Sequence, residues 1–264
     1  MRIAGMLAHS PPLPLVIDYP DIGYGITAEN VQGIILALEQ RNRVRRVRLG
    51  LPVPIIEKLV KAFDGEYPVL EHLIMGASTD GVGTALTLPE RFQAPHLCHL
   101  LLKGFALPMG SRLLTTTAGM VTLCLLTKLS CAYFQPNILL QWLSFMPQLE
   151  TLLIIFFDDI PQQNMERHLM HMPTMTNVTL SKLRSFVFRG VSTYIGAVAP
   201  WLTTPVLEKL EIVFFNEYTF SVPRLLQFTE TTENLRFDSG KIIFFWDQVS
   251  WGCIFVRRPR CMPF

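Results

Sequence analysis

Aliphatic residues recur along the chain in a fixed local arrangement, in which two of them lie three residues apart and an apolar residue follows two positions later. The clear copies begin at Val44, Leu70, Leu97, Leu126, Leu149, Leu183 and Leu207, and a weaker copy begins at Leu13. Successive copies start 23 to 34 residues apart, and such a period is typical of leucine-rich repeats. The sequence therefore predicts a repeat domain over residues 13–245. A short segment, 1–12, precedes it, and an atypical tail without the arrangement follows at 246–264.

The spacing within each copy predicts a short strand, because residues two apart point to the same side of a strand. One such strand cannot bury its apolar side alone, whereas stacked parallel strands with a helix or turn behind each one share a continuous core. Helical spacing of apolar residues between the copies predicts helices over 26–40, with Thr27 as N-cap, and over 54–63, 136–145 and 192–202. The predicted fold is an α/β leucine-rich-repeat solenoid, an open arc with parallel strands on the concave face and helices and turns on the convex face.

The composition is apolar enough to suggest a membrane protein, but the order of the residues argues against one. Charged residues make up 17% of the chain and the mean hydropathy is +0.32. The longest uncharged stretch, 129–149, holds two prolines and several polar side chains, so a buried helix fits it better than a bilayer span. The N-terminus lacks the apolar core of a signal peptide. With an odd number of cysteines, five, these features predict an intracellular protein, cytoplasmic or nuclear, with reduced thiols.

Three strings resemble a known family: PHLCHLLLKGFALPMGSRLLTTTAGMVTLCL at 95–125, YFQPNILLQWLSFMPQLETLLIIF at 133–156 and PVLEKLEI at 205–212. They look like the leucine-rich-repeat region of F-box proteins of mushroom-forming fungi. The resemblance implies a substrate-recognition part of a ubiquitin-ligase receptor, in which a separate F-box would bind the Skp adaptor. The twelve residues before the first copy are too few for that three-helix module. Adaptor binding is therefore expected only if a longer product supplies an F-box.

The repeat also predicts which side chains would meet a partner, because strand residues between the buried ones face the concave side. The candidate partner-binding residues are Arg46, Arg48, His72, His99, Leu101, Lys103, Lys128, Leu153, Ile155, Arg189 and Lys209. Six of the outward strand positions are basic and one, Glu211, is acidic, although the whole chain carries only +2.

This charge pattern predicts a protein or peptide partner whose acidic or phosphorylated residues lie beside a hydrophobic anchor near Leu153 and Ile155. The alternative is that the strand charges only keep an open face soluble. The arginine cluster at 41–48 has no interleaved aromatic residues, which argues against nucleic acid as the partner.

Catalytic motifs are incomplete. The glycines at 76, 81 and 83 have phosphate-loop spacing but lack the lysine and the serine or threonine that would reach phosphate and magnesium. The histidine pairs 96/99 and 168/171 lack the glutamate of a zinc hydrolase, and Asp158-Asp159 has no second acidic cluster. The sequence thus predicts a protein-binding module that is not an enzyme and needs no cofactor or metal. The alternatives are a metal- or nucleotide-dependent enzyme on a different α/β fold, or an orphan fragment without a partner.

Overall fold

A computed structural model describes residues 13–19, 26–78, 86–108, 110–127, 134–157, 175–215, 228, 240–245 and 250–256. The chain forms two compact units, Met1–Tyr133 (unit 1) and Phe134–Phe264 (unit 2). Both contain parallel strands and short helices, so the predicted α/β class with parallel strands is confirmed. The solenoid and the domain boundaries at residues 12 and 245 stay predictions.

Unit 1 is built on five parallel strands whose order in the sheet is their order in the chain. These strands are β1 (Leu15–Tyr19), β2 (Val44–Pro52), β3 (His72–Ser78), β5 (His99–Lys103) and β7 (Thr122–Thr127). Two short strands, β4 (Leu86–Thr87) and β6 (Phe105–Ala106), pair with each other. The described helices of the unit are α1 (Ala28–Leu38), α2 (Val53–Val60) and the single turn α3 (Arg112–Thr115).

Unit 2 combines three parallel strands with an antiparallel pair. Strand β10 (Ser185–Gly190) pairs in parallel with β8 (Thr151–Phe156) and β12 (Lys209–Phe215). Strand β14 (Ser250–Val256) runs antiparallel to both β12 and β13 (Gly240–Phe245). The other described elements of unit 2 are the paired short strands β9 (Val178–Thr179) and β11 (Leu202–Thr203), helices α4 (Pro136–Ser144) and α5 (Ser192–Val198), and a 3-10 turn at Ala199–Trp201.

One turn recurs before six of these strands. The backbone N–H of a buried residue donates to the carbonyl oxygen three positions earlier, and the strand begins two residues after the donor. The donor and acceptor residues are Leu70 and Tyr67, Leu97 and Ala94, and Met120 and Thr117 in unit 1, and Leu149 and Met146, Leu183 and Leu180, and Leu207 and Thr204 in unit 2. Both members of every pair are buried, which explains why the copies at Leu70, Leu97, Leu149, Leu183 and Leu207 begin with an apolar residue although it precedes the strand.

The strand predicted from the copy at Leu126 is misplaced. In the structure the strand is Thr122–Thr127, where Leu123 and Leu125 lie beside Leu100 and Leu102 of the neighbouring strand. The run 120–131 fits the apolar arrangement in two registers six residues apart. The turn ending at Met120 selects the earlier register, and the strand predicted at 128–131 lies outside the described residues.

The helices form largely where their apolar spacing predicted. Thr27 caps α1, its side-chain oxygen accepting a hydrogen bond from the Asn30 N–H at 3.2 Å. Such a cap stabilises a helix by about 1 kcal/mol. Six of the nine residues of α4 are buried, as expected for the uncharged stretch. Among the described residues, no helix is both long and apolar enough to cross a membrane.

Aromatic side chains form a cluster in each unit. In unit 1 the rings of Phe63, Tyr67 and Phe92 lie with centroids 5.3 to 5.5 Å apart. The Tyr67 hydroxyl lies 2.9 Å from the carbonyl oxygen of Ala62 and 3.1 Å from that of Leu38. In unit 2 the cluster consists of Phe134, Trp142, Phe156, Phe188 and Tyr194. Burying each such side chain contributes about 1.5–3 kcal/mol to folding.

Candidate functional site

The unit 1 sheet has one buried side and one side that reaches solvent. Along β2 the side chains of Val47, Leu49 and Leu51 are buried, while Arg46 is half-buried and Arg48 is exposed. The same alternation runs along β5, where Leu100 and Leu102 are buried. The side that carries Arg46 and Arg48 is called the open face of unit 1. The sequence predicted a concave binding surface, and the open face of unit 1 carries the described residues of that prediction in this unit.

Strand register arranges the open face of unit 1 in three rows that run across the strands. The first row consists of Val16, Arg46, His72, His99 and Thr122. The second row consists of Asp18, Arg48, Ile74, Leu101 and Cys124. The third row consists of Gly50, Gly76, Lys103 and Leu126. Six of the predicted partner-binding residues are therefore neighbours on one surface.

Polar side chains dominate the first row. The imidazole rings of His72 and His99 stack, with centroids 4.5 Å apart and planes inclined by 17°. Nδ1 of His99 lies 3.1 Å from Oγ1 of Thr122. Since neighbouring parallel strands lie about 4.8 Å apart, hydrogen-bonding groups follow one another across four strands.

Both charge and burial act on this row. Partial burial lowers the pKa of His72, and the neighbouring His99 and Arg46 lower it further. The His72 imidazole is therefore neutral at pH 7. The Nε atom of Arg46 is buried, and no acceptor among the described residues lies within hydrogen-bonding distance of it. A buried donor in this condition is costly, so this N–H can still donate a hydrogen bond to an oxygen atom of a partner.

The second row begins with the charged Asp18 and Arg48 and is apolar from Ile74 to Cys124. Ile74 and Leu101 are half-buried, and Cys124 is 8% exposed. Burial raises the pKa of the Cys124 thiol to about 11, so this cysteine stays protonated at neutral pH and is a poor nucleophile. The row offers an apolar surface beside the exposed guanidinium of Arg48.

Glycine shapes the third row. A Cβ atom added to Gly76 would lie 3.8 Å from Cβ and 4.0 Å from Cδ of Lys103. The lysine stem therefore lies over Gly76, on the strand next to its own.

Four further predicted residues lie in unit 2. Leu153 shares a row with Val187 and Glu211, and Ile155 shares one with Arg189 and Val213. All of these side chains are half-buried, and the neighbours of Leu153 and Ile155 in these rows are two valines and two charged residues.

Lys209 is less available than the sequence suggested. Its Nζ lies 3.0 Å from Oε2 of Glu211, two residues along the same strand. The ion pair offsets one of the basic charges predicted for this surface. Lys128 lies outside the described residues.

The sequence did not indicate two polar side chains of the open face of unit 1, those of Thr122 and Asp18. Thr122 lies before the copy that begins at Leu126, and the apolar spacing of Met120, Leu123 and Leu125 is the sequence signal that indicates its strand. Asp18 lies beside Arg48 on the edge strand, and its carboxylate reduces the local positive charge.

The chemical motifs give no catalytic arrangement in the described part of the chain. His96 lies in the turn before β5 and His99 on the strand itself, so the pair does not share a helical face. No group of three or more His, Cys, Asp or Glu side chains that could hold a metal ion occurs among the described residues. The glycines at 81 and 83, the carboxylates at 158 and 159, and the histidines at 168 and 171 lie outside those residues.

No protein-family model matches the chain, and neither a curated protein nor a solved structure matches it.

Proposed function

We propose that the chain is a non-catalytic protein-binding module of leucine-rich-repeat type, which holds a segment of another protein against the open face of unit 1. In this role it corresponds to the substrate-recognition part of an F-box receptor. The observation that carries the proposal is the arrangement of Arg46, Arg48 and Lys103 around the half-buried Ile74 and Leu101.

Charge favours an acidic or phosphorylated segment. Among the described residues of the open face of unit 1, three cationic side chains occur with one carboxylate, that of Asp18, whereas the chain as a whole carries only +2. Arginine fits carboxylate and phosphate groups through two parallel hydrogen bonds, which adds geometric selectivity to the attraction.

The apolar row supplies the second element of recognition. Ile74 on β3 lies directly beside Leu101 on β5, and on its other side lies Arg48 on β2. A leucine or similar side chain of the partner would cover both while its acidic neighbour meets the cations. Buried apolar anchors surrounded by polar contacts commonly supply most of the affinity of such interfaces.

Two features support the leucine-rich-repeat part of the proposal. In unit 1 the parallel strands follow one another in the sheet as they do in the chain, and the same buried turn precedes strands of both units. Stacked repeats that consist of such a turn and strand form solenoids, whose strand surfaces serve as extended binding faces.

Reversal of charge on β2 tests the binding surface. The double variant Arg46→Glu/Arg48→Glu should lose at least about tenfold in affinity for a fluorescent acidic peptide that contains one leucine, measured by anisotropy at low salt. The matched control, Lys58→Glu/Lys61→Glu, makes the same change of charge at exposed positions in and just after α2. If both double variants lose affinity equally, the effect comes from net charge and the proposed surface is wrong.

A further inference from the structure

We infer that the first row of the open face of unit 1, from Arg46 through His72 and His99 to Thr122, binds a phosphoryl group on the partner segment and takes up a proton when it does so. The inference rests on the proposed function, because it assigns a chemical class and a pH response to the same surface. It has its own evidence in the stacked histidines and in the unsatisfied donor of Arg46.

Hydrogen-bonding geometry points to a group with several oxygen atoms. Arg46 contributes a buried Nε–H without an acceptor among the described residues, and its neighbours across the sheet are imidazoles and a hydroxyl. Neighbouring strands lie about 4.8 Å apart, so a group that meets both Arg46 and the adjacent His72 must present more than one acceptor oxygen. A phosphoryl group carries three strong acceptor oxygens and a charge between −1.5 and −2 at pH 7.

The histidine stack explains why binding would be coupled to a proton. Two charged imidazolium rings 4.5 Å apart repel each other, and the groups that face His72 are His99, Arg46, Arg45 and Glu71. Glu71 is the only carboxylate among them, and it is paired with Arg45 at 2.8 Å. In the free protein this environment keeps His72 neutral. A dianion placed on the row reverses the balance and favours the protonated ring.

The sign of the pH dependence follows from linkage. The complex with the phosphopeptide would hold a proton that the free protein lacks. The affinity for the phosphopeptide should therefore rise as the pH falls, until the His72 imidazole of the free protein becomes charged as well. One proton taken up corresponds to at most about tenfold in affinity per pH unit. Below about pH 6 the phosphoryl group itself protonates, so affinity should pass through a maximum near that pH.

Calorimetry on the full chain tests this. The probe is a peptide with one phosphothreonine two residues before a leucine, compared with twins that carry threonine or glutamate in its place. Between pH 7.5 and pH 6.5 the phosphopeptide should bind at least about threefold more tightly. Titrations in two buffers of different ionisation enthalpy should show net proton uptake. The proton measurement on the unaltered chain does not depend on any variant folding.

Three substitutions locate the proton. His72→Gln and His99→Gln should each weaken phosphopeptide binding at pH 6.5 and reduce the proton uptake. His96→Gln is the matched control, because His96 is exposed and lies in the turn before β5, outside the row. It should leave both quantities unchanged. Loss of proton uptake in all three variants alike would contradict the assignment to this row.

The outcomes separate the inference from the proposed function. If the phosphopeptide binds with no proton uptake and no change between the two pH values, the inference is overturned while the proposed function stands. If none of the three peptides binds, both are overturned. If inorganic phosphate displaces the phosphopeptide at a concentration close to the dissociation constant of the peptide, the row binds the free anion, and recognition of a phosphorylated segment is overturned.

Discussion

Substitution of Gly190 by alanine should destabilise unit 2, because there is no room for the added methyl group. Gly190 is the last residue of β10 and is buried. A Cβ atom at this position would lie 2.7 Å from Cζ of Phe188 and 2.9 Å from Cδ2 of Phe156. Real Cβ atoms essentially never approach a neighbour so closely, so one of the two rings must move.

Neither ring is free to move without loss. Phe188 is fully buried and stacks on Tyr194, with ring centroids 5.8 Å apart and planes inclined by 13°. Phe156 lies against the edges of both rings, at 6.2 Å from Phe188 and 5.2 Å from Tyr194. Moving one ring therefore disturbs the packing of the whole aromatic cluster.

The expected cost follows from this packing. Inserting a methyl group into a packed core costs about 1–3 kcal/mol, and replacing glycine by alanine returns about 0.4–1 kcal/mol by restricting the unfolded chain. The free energy of unfolding should fall by about 1–2 kcal/mol. For a chain of this size such a loss lowers Tm by about 3–6 °C.

Tryptophan fluorescence gives a selective assay. All four tryptophans lie within residues 134–264, so a thermal melt followed by their emission reports on unit 2. The control is Gly196→Ala in α5, where an added Cβ meets no other part of the described chain within 4 Å. This substitution removes a residue that is about 1 kcal/mol less favourable than alanine in a helix, so Tm should stay constant or rise.

A double variant tests the cause. If the clash with Phe188 is responsible, Phe188→Leu should reduce the additional cost of Gly190→Ala, because the shorter side chain leaves space beside the methyl group. The reasoning is refuted if Gly190→Ala is as well tolerated as Gly196→Ala, or if its cost is the same with leucine at position 188.

Four further predictions concern other parts of the molecule. Tyr67→Phe should lower the free energy of unfolding by about 1 kcal/mol in a urea titration, because it removes the hydroxyl that bonds to buried carbonyl groups. Burial raises the pKa of Tyr67 to about 12, whereas tyrosine in the unfolded chain ionises near pH 10. The free energy of unfolding should therefore be constant below about pH 10 and fall as the pH rises from about 10 through 12. Iodoacetamide at pH 8, followed by peptide mass spectrometry, should modify the half-buried Cys98 much faster than Cys124, whose pKa is raised to about 11 by burial; equal rates would show that Cys124 is accessible. Zinc, magnesium and ATP should leave Tm unchanged, whereas a rise of several degrees with any of them would favour an enzyme.

The sequence predicted the strands well where apolar spacing and local hydrogen bonding agree. Thr27 could be recognised as a cap because its hydroxyl and the Asn30 N–H are only three positions apart. The strand near Leu126 was misplaced because two registers of aliphatic residues compete there. The decision between them depends on a turn whose buried threonine, Thr117, carries no apolar signal.

The candidate site was predicted less completely than the fold. Alternation along each strand indicated which side chains leave the core, which is a local property. Contacts across strands depend on register, so the stacking of His72 on His99 and the pairing of Lys209 with Glu211 required the structure. The position of Lys103 over Gly76 depends on a side-chain conformation that no sequence pattern records.

The alternation of buried and outward positions along β2, β3 and β5 has an evolutionary consequence. Residues that hold the sheet together and residues that meet solvent occupy different, interleaved codons. Mutations at the outward codons can alter what the surface recognises while the folded scaffold survives. Gene duplicates of such a chain can therefore diverge in specificity by single nucleotide changes, without passing through unstable intermediates.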